Sequence, residues 1–451
     1  MDSQMDRDLL ILSFHQIIPM SSSSYNFFHF CFLLIISTNC FAKNTFQPKT
    51  LFLAVRKDPS TLQYITQIYQ RTPLVPVKLA IHLGGESLWV DCEKGYKSST
   101  YKPARCNSRQ CDYVKSTACG QCDGKQRPGC NKNSCINVVG NPATETLMVG
   151  GEIAEDVLSI RSVNGSVPGP VVTVPKFIFS CAESFLTERL GKGVKGMVGF
   201  GQHRPASLAA QFASVFRFSR KFAICLSSST ERNGVIFIGH SPYFFSLAFD
   251  ASRDLIYTPI ITYPNYIYFN RDSPEYYIQV SSVKINGRNL PLNKTLLTLD
   301  LENDSHGTRI STAVPYTLLE ASIYSVVSKA FVNAMPKDVH TVPAVQPFKT
   351  CFDSSAIGMS RLGYNAPEIN LVLHRPNVYW TITGANSLVK VSDDVVCLAF
   401  VEGIQTLGQA IVIGGYQMQD NLVEFDLARK RIGFSNSLFF RQTTCSNHNY
   451  A

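Results

Sequence analysis

The sequence predicts an all-β, bilobal protein: two barrel-like lobes, a central cleft and a few short helices. Three observations predict it. At 451 residues the chain is too long for one small domain and suits two lobes of roughly 200 residues each. Most of it reads as short β-branched and aromatic runs, separated by clusters of Gly, Pro, Asn and Ser. The pattern also recurs. Each half has an apolar strand entering a special turn, then an apolar-apolar-Gly step, Met197-Val198-Gly199 in the first and Val412-Ile413-Gly414 in the second. Each half closes on a strand pair, and two similar halves imply a cleft between them.

In chain order, strands are expected at 74–83, 87–91, 144–149, 155–160, 176–181, 223–227 and 235–238. The second half offers 276–280, 283–285, 370–373, 379–382, 411–413, 421–426 and 431–435. Only two segments, Ser207–Val215 and Tyr316–Met335, space their apolar residues as a helix does. A chain mainly of strands with so few helices points to sandwich or barrel lobes.

The first 42 residues read as a leader. Phe27–Ser37 is an apolar run that ends in small residues before Ala42, the form of a secretory signal, with Met20 as a start codon and residues 1–19 as an extension. An anchored helix is the alternative, although the run is short for a membrane span. The lobes are then expected over 43–252 and 253–451. Removing the leader takes away Arg7 and three acids, leaving 41 basic against 30 acidic residues, so the net charge rises from +9 to +11. Such a balance suits acidic partners outside the cell, such as cell-wall polysaccharide, or serves solubility alone. Charged residues are only 17% and form no basic arm, which excludes a nucleic-acid binder of that kind.

Twelve cysteines remain beyond the leader: 92, 106, 111, 119, 122, 130, 135, 181, 225, 351, 397 and 445. An even number behind a signal reads as six disulfides; the spacing from Cys119 to Cys135 could also mimic a zinc knuckle. Sequons at Asn164, Asn293 and Asn303 are candidate glycosylation sites. Gly191–Gly196 fits GxGxxG literally but runs into a strand-like segment, so no cofactor is expected.

Six stretches carry a resemblance: 81–92 (IHLGGESLWVDC), 151–160 (GEIAEDVLSI), 196–201 (GMVGFG), 276–287 (YYIQVSSVKING), 310–317 (ISTAVPYT) and 411–416 (IVIGGY). In these the chain resembles the plant basic 7S globulins, extracellular dermal glycoproteins and xylanase-inhibitor-like proteins, a branch of the pepsin-like (aspartic peptidase) fold. The likeness covers about residues 50 to 445. It implies the disulfides Cys92–Cys181, Cys106–Cys119, Cys111–Cys135, Cys122–Cys130, Cys225–Cys445 and Cys351–Cys397.

Pepsin-like catalysis needs two carboxylates that share a proton across a water molecule. By resemblance each half supplies one, from an apolar-Asp-Thr/Ser-Gly turn. Here the first turn reads Ile81-His82-Leu83-Gly84 and the second Ile310-Ser311-Thr312-Ala313. Neither Asp is present, and no catalytic residue is expected. The flap position 147–150 lacks the usual Tyr. A Ser–His dyad of His82 and Ser311 would need an orienting acid and an oxyanion hole, and the sequence shows neither.

The expected function is therefore binding, by a secreted, wall-located protein acting on a glycoside hydrolase such as a xylanase or xyloglucan endoglucanase. The alternative is a globulin-like storage, peptide- or carbohydrate-binding protein. By resemblance the inhibitory loops fall at 335–344, which offers Lys337 and His340, and at 402–409. An endoglucanase inhibitor would carry Arg near Gly408, and this chain does not.

Overall fold

Two strands near the start, missed by the sequence reading, open the fold. Thr50–Lys57 (β1) and Tyr64–Gln70 (β2) pair antiparallel, and β2 alternates buried and outward side chains as a half-covered strand should. β2 then pairs with Val75–His82 (β3). The computed structural model describes residues 46–450, except 117, 145–148, 246–248, 265–271, 303–304, 404–407 and 449. The leader therefore lies outside the described residues, as do most of the expected strand 144–149 and the tip of the flap. Residues Pro48–Ala451 form one compact unit; of the remainder, Met1–Gln47, only Phe46 and Gln47 are described.

The first half continues with Trp89–Asp91 (β4), Lys102–Pro103 (β5), a short helix Arg109–Val114 (α1), Ala118–Gly120 (β6) and Ser134–Val139 (β7). Val149–Asn164 (β8) and Val167–Ala182 (β9) form a long hairpin, extending well past the two segments expected there. Gly196–Gly199 (β10), the helix Leu208–Phe216 (α2), Lys221–Cys225 (β11) and Gly234–Gly239 (β12) complete it. α2 buries every residue from Leu208 to Ala213, and of these Leu208, Ala209, Phe212 and Ala213, at helical spacing, join the main core.

In the second half the strands used below are Ile256–Pro259 (β13), Tyr276–Ile278 (β14), Thr308–Ile310 (β15), Thr317–Leu319 (β16), Phe400–Glu402 (β17), Ile411–Ile413 (β18), Leu422–Asp426 (β19) and Arg431–Phe434 (β20). One helix there, Ala321–Ala334 (α3), is shorter than the expected 316–335. Thr317–Leu319 pairs instead as β16, with alternating burial, and Glu320 then caps the helix: its carboxylate accepts the N–H groups of Ser322 and Ile323 at 2.9 and 3.2 Å. α3 buries Ile323, Tyr324, Val327 and Phe331.

The internal repeat becomes topology. In the first half β10 runs parallel to β3 and antiparallel to β4, and β4 runs parallel to β9. In the second half β18 runs parallel to β15 and antiparallel to β16, and β16 runs parallel to β17. The first apolar-apolar-Gly step lies within β10, and the second begins in β18 and ends on Gly414 just past it. The closing pairs β11–β12 and β19–β20 meet edge to edge, since β11 also pairs antiparallel with β19 from Lys221↔Asp426 to Cys225↔Leu422. β12 and β19 bury every residue, as strands covered on both faces do. The fold is bilobal and mainly β, with these strands bridging the halves.

Six disulfides join Cys92–Cys181, Cys106–Cys119, Cys111–Cys135, Cys122–Cys130, Cys225–Cys445 and Cys351–Cys397. The segment from Cys119 to Cys135 is thus cross-linked, and the zinc-knuckle alternative is set aside.

Candidate functional site: two facing turns and a second-half loop

His82 ends β3 and Ser311 follows β15, so the two turns occupy corresponding places in the repeat. The backbone explains why. His82 C=O accepts the N–H groups of Gly85 and Phe200, both at 3.1 Å, while Ser311 N–H donates to Ile413 C=O at 2.9 Å. Each turn is thereby stitched to the strand lying parallel beside it.

The turns also grip each other. Thr312 Oγ1 accepts the N–H of Leu83 at 3.2 Å and donates to the C=O of Ile81 at 2.9 Å. The matching position in the first turn is Leu83, fully buried and without a hydroxyl, so the grip runs in one direction only. Ser311 Oγ accepts the Ala313 N–H at 3.1 Å. No hydrogen bond between His82 and Ser311 occurs among the described residues.

No orienting acid for His82 is expected from the sequence. The fold brings an acid near it: Glu275, just before β14, lies with Oε1 3.9 Å from His82 Nε2 and 3.5 Å from Arg309 Nη1. At 3.9 Å this is a charge neighbour rather than a hydrogen bond, so it does not orient the imidazole as a catalytic triad would. Burial pushes the His82 pKa down; Glu275 opposes that shift, and Arg309 adds to it. Glu275 also packs over the first turn so closely that a Cβ at Gly84 would collide with its carboxylate. The two turns thus present His82, beside an acid that is itself paired with an arginine, and a serine whose Oγ accepts a backbone N–H of its own turn. No local signal marks Glu275 or Arg309, because only the fold brings residue 275 to residue 82.

Beside the second turn a cleft of about 510 Å³ remains, lined by Leu62, Gln63, Arg189, Thr312 and Ala313 among others. Gln63 is already committed there, donating to Arg189 C=O at 2.9 Å and accepting the Gly191 N–H at 3.1 Å. The flap reading at 147–150 falls mostly outside the described residues.

Lys337 and His340 are exposed in the loop after α3. Met335 and Val339 anchor that loop inward, and His340 C=O accepts the Asp353 N–H at 3.0 Å. The Cys351–Cys397 bridge lies behind it. In the other loop Ile404–Leu407 lie outside the described residues. Its end is defined: Gly408 has φ +72°, and its C=O accepts the His306 N–H at 2.8 Å. A residue with a side chain is strained at that angle, which gives a physical reason for glycine there. Asn164, at the tip of the β8–β9 hairpin, and Asn293 are exposed, while Asn303 lies outside the described residues.

This architecture defines a pepsin-like bilobal protein. A solved aspartic proteinase from Irpex lacteus shares the fold at a TM-score of 0.52 and 14% identity, over 88% of this chain and 99% of that one. The family described as Xylanase inhibitor N-terminal matches residues 64–240, and Xylanase inhibitor C-terminal matches residues 275–436. The chain belongs to this xylanase-inhibitor and basic 7S globulin family. It is 48% identical over 424 residues to a Nicotiana benthamiana protein named probable aspartic proteinase GIP2, covering 93% of this chain and 96% of the relative. It is 38% identical to basic 7S globulin of Glycine max, covering 85% and 88%. The crystal structure of edgp superposes at a TM-score of 0.88 with 48% identity, covering 91% of this chain and all of that one. No described helix is long and apolar enough to cross a membrane.

Proposed function

We propose that this chain is a secreted, proteolytically inactive binding protein with lobes near 43–252 and 253–451, whose target is a glycoside hydrolase. The observation that carries the reading is the pair of facing turns. Both keep their backbone stitching, yet they present His82 and Ser311 where a peptidase presents two carboxylates. Pepsin-like chemistry has no proton to share across that gap. The xylanase-inhibitor likeness of both halves supports a protein partner of that class.

The physics of such a contact favours a cation on a stiff loop. A glycoside hydrolase cleft holds two carboxylates, and a protruding Lys or His can reach between them. Lys337 and His340 are exposed on a loop that buries Met335 and Val339. The glycine turn at 408 favours the second reading, a globulin-like protein that is stored or binds peptide or carbohydrate, because it removes one cationic anchor.

The test is retention of endoxylanases and xyloglucan endoglucanases on the immobilised protein, followed by inhibition assays. The account expects an enzyme to be retained and inhibited, with inhibition weakened about thirtyfold by Lys337→Ala or His340→Ala, the scale of an interface hot spot. If no enzyme is retained at about micromolar concentration, a weak limit for specific pairs, the hydrolase reading fails and the globulin reading takes its place.

A further inference from the structure

The first half carries a second groove, of about 520 Å³, between β5, the turn before α1 and the turn before β7. Its size is within the range of small-ligand sites. Its setting is strongly basic. From Glu93 to Lys132 the sequence holds nine Lys or Arg and three acids, a surplus of six from a chain whose whole net charge is +9. That stretch is no solvated tail: Cys106–Cys119, Cys122–Cys130 and Cys111–Cys135 cross-link it.

Lys102, Arg105 and Lys132 line the groove and are exposed. Their side chains make no ion pair or hydrogen bond with any described residue. Glu155, the one acid in the lining, is buried opposite Lys102 in the β5–β8 ladder, and its Oε1 accepts the Gln110 amide at 2.9 Å. The exposed amides of Gln126 and Asn133 also reach the lining, likewise without a described side-chain partner. Among the described residues of the lining only Pro103 and Ala104 are apolar, so these residues offer no apolar pocket for the side chains of a peptide.

We propose that this groove binds a short oligosaccharide of uronic acids. Each uronate ring offers one carboxylate and several hydroxyls. The three cations pair with carboxylates through charge-assisted hydrogen bonds, and the two amides, each both donor and acceptor, bind ring hydroxyls. A compact anion such as phosphate would use the cations and leave the amides idle. This site lies on a different half from the Lys337 loop, so it stands or falls independently of hydrolase binding.

The experiment is calorimetric titration of the full secreted protein with trigalacturonate. The expected results are measurable binding, at least tenfold weaker binding of the methyl-esterified trimer, and a loss of about tenfold per cation removed in Lys102→Ala, Arg105→Ala and Lys132→Ala. Gln126→Ala with Asn133→Ala weakens binding at unchanged charge. Removing three exposed cations elsewhere, Arg232→Ala, Arg288→Ala and Lys329→Ala, changes affinity by less than about threefold, since distant exposed charges are screened. Thermal melts verify that each variant is folded, and the esterified trimer tests the site on the unaltered chain. Three results would overturn the proposal: no heat with trigalacturonate at millimolar concentration, equal losses in the control triple, or polyglutamate or inorganic phosphate binding as tightly as the uronate.

Discussion

The two facing turns have diverged in opposite ways. The first keeps its glycines, Gly84 and Gly85, but replaces the gripping hydroxyl with Leu83. The second keeps the hydroxyl, Thr312, but replaces its glycine with Ala313. One hydroxyl, from the second turn, then links the two turns, bridging Leu83 N–H and Ile81 C=O of the first. The difference teaches that a hydroxyl from one side is enough to link the two turns by hydrogen bonds, while the other side is held by the packing of Leu83.

The largest effect expected from breaking this arrangement lies at the covalent link between β11 and the C-terminal segment. Replacing Cys225 and Cys445 with Ser should destabilise the fold by about 5 kcal/mol, because the bridge closes a loop spanning 220 positions. Denaturant midpoints would measure it, and a loss below about 1 kcal/mol would show that the halves hold without the bridge.

Leu83→Ala comes next, at about 2–5 kcal/mol, since Leu83 is fully buried and its loss leaves a cavity. Thr312→Val should cost less, about 1–3 kcal/mol, by leaving a buried N–H and C=O without their shared hydroxyl. Comparing the two by thermal melts sharpens the contrast: packing holds the first turn, hydrogen bonding the second. Equal costs would remove that distinction.

The smallest effect is acid sensitivity. Burial lowers the pKa values of His82, His203, His374 and His448 below the ordinary 6.5. The unfolded chain therefore takes up protons first as pH falls. Stability is unaffected well above 6.5, declines as pH drops through it, and levels off below the lowered native values. His82→Gln should flatten part of that decline in melts between pH 7.5 and pH 5, a window about the reference value. An unchanged slope would mean that His82 titrates as freely in the fold as outside it.

Much of the architecture was legible in the sequence because it depends on local pattern. The recurring apolar-apolar-Gly step is visible in six residues and marks β10 and the end of β18. β1 and β2 were missed because TLFLAVRK opens on an apolar run without period-2 alternation and YITQIYQ mixes amides into its own, although Asp58-Pro59-Ser60 between them is a turn signal. The helix expected from Tyr316 began five residues late, because apolar spacing alone cannot separate β16 from α3; the Glu320 cap decides it. The neighbours of His82 were illegible for another reason. Glu275 and Arg309 reach it across roughly two hundred residues of chain, and nothing in their local sequence announces the meeting.

The most direct test of a peptidase framework without peptidase chemistry is a cleavage assay of the purified secreted protein. It would use a broad peptide library across acidic to neutral pH, with Ser311→Ala and His82→Ala alongside. The account predicts no cleavage above buffer by any of the three. Turnover by the unaltered chain that disappears in either variant would contradict it, and would show that these two turns still support catalysis.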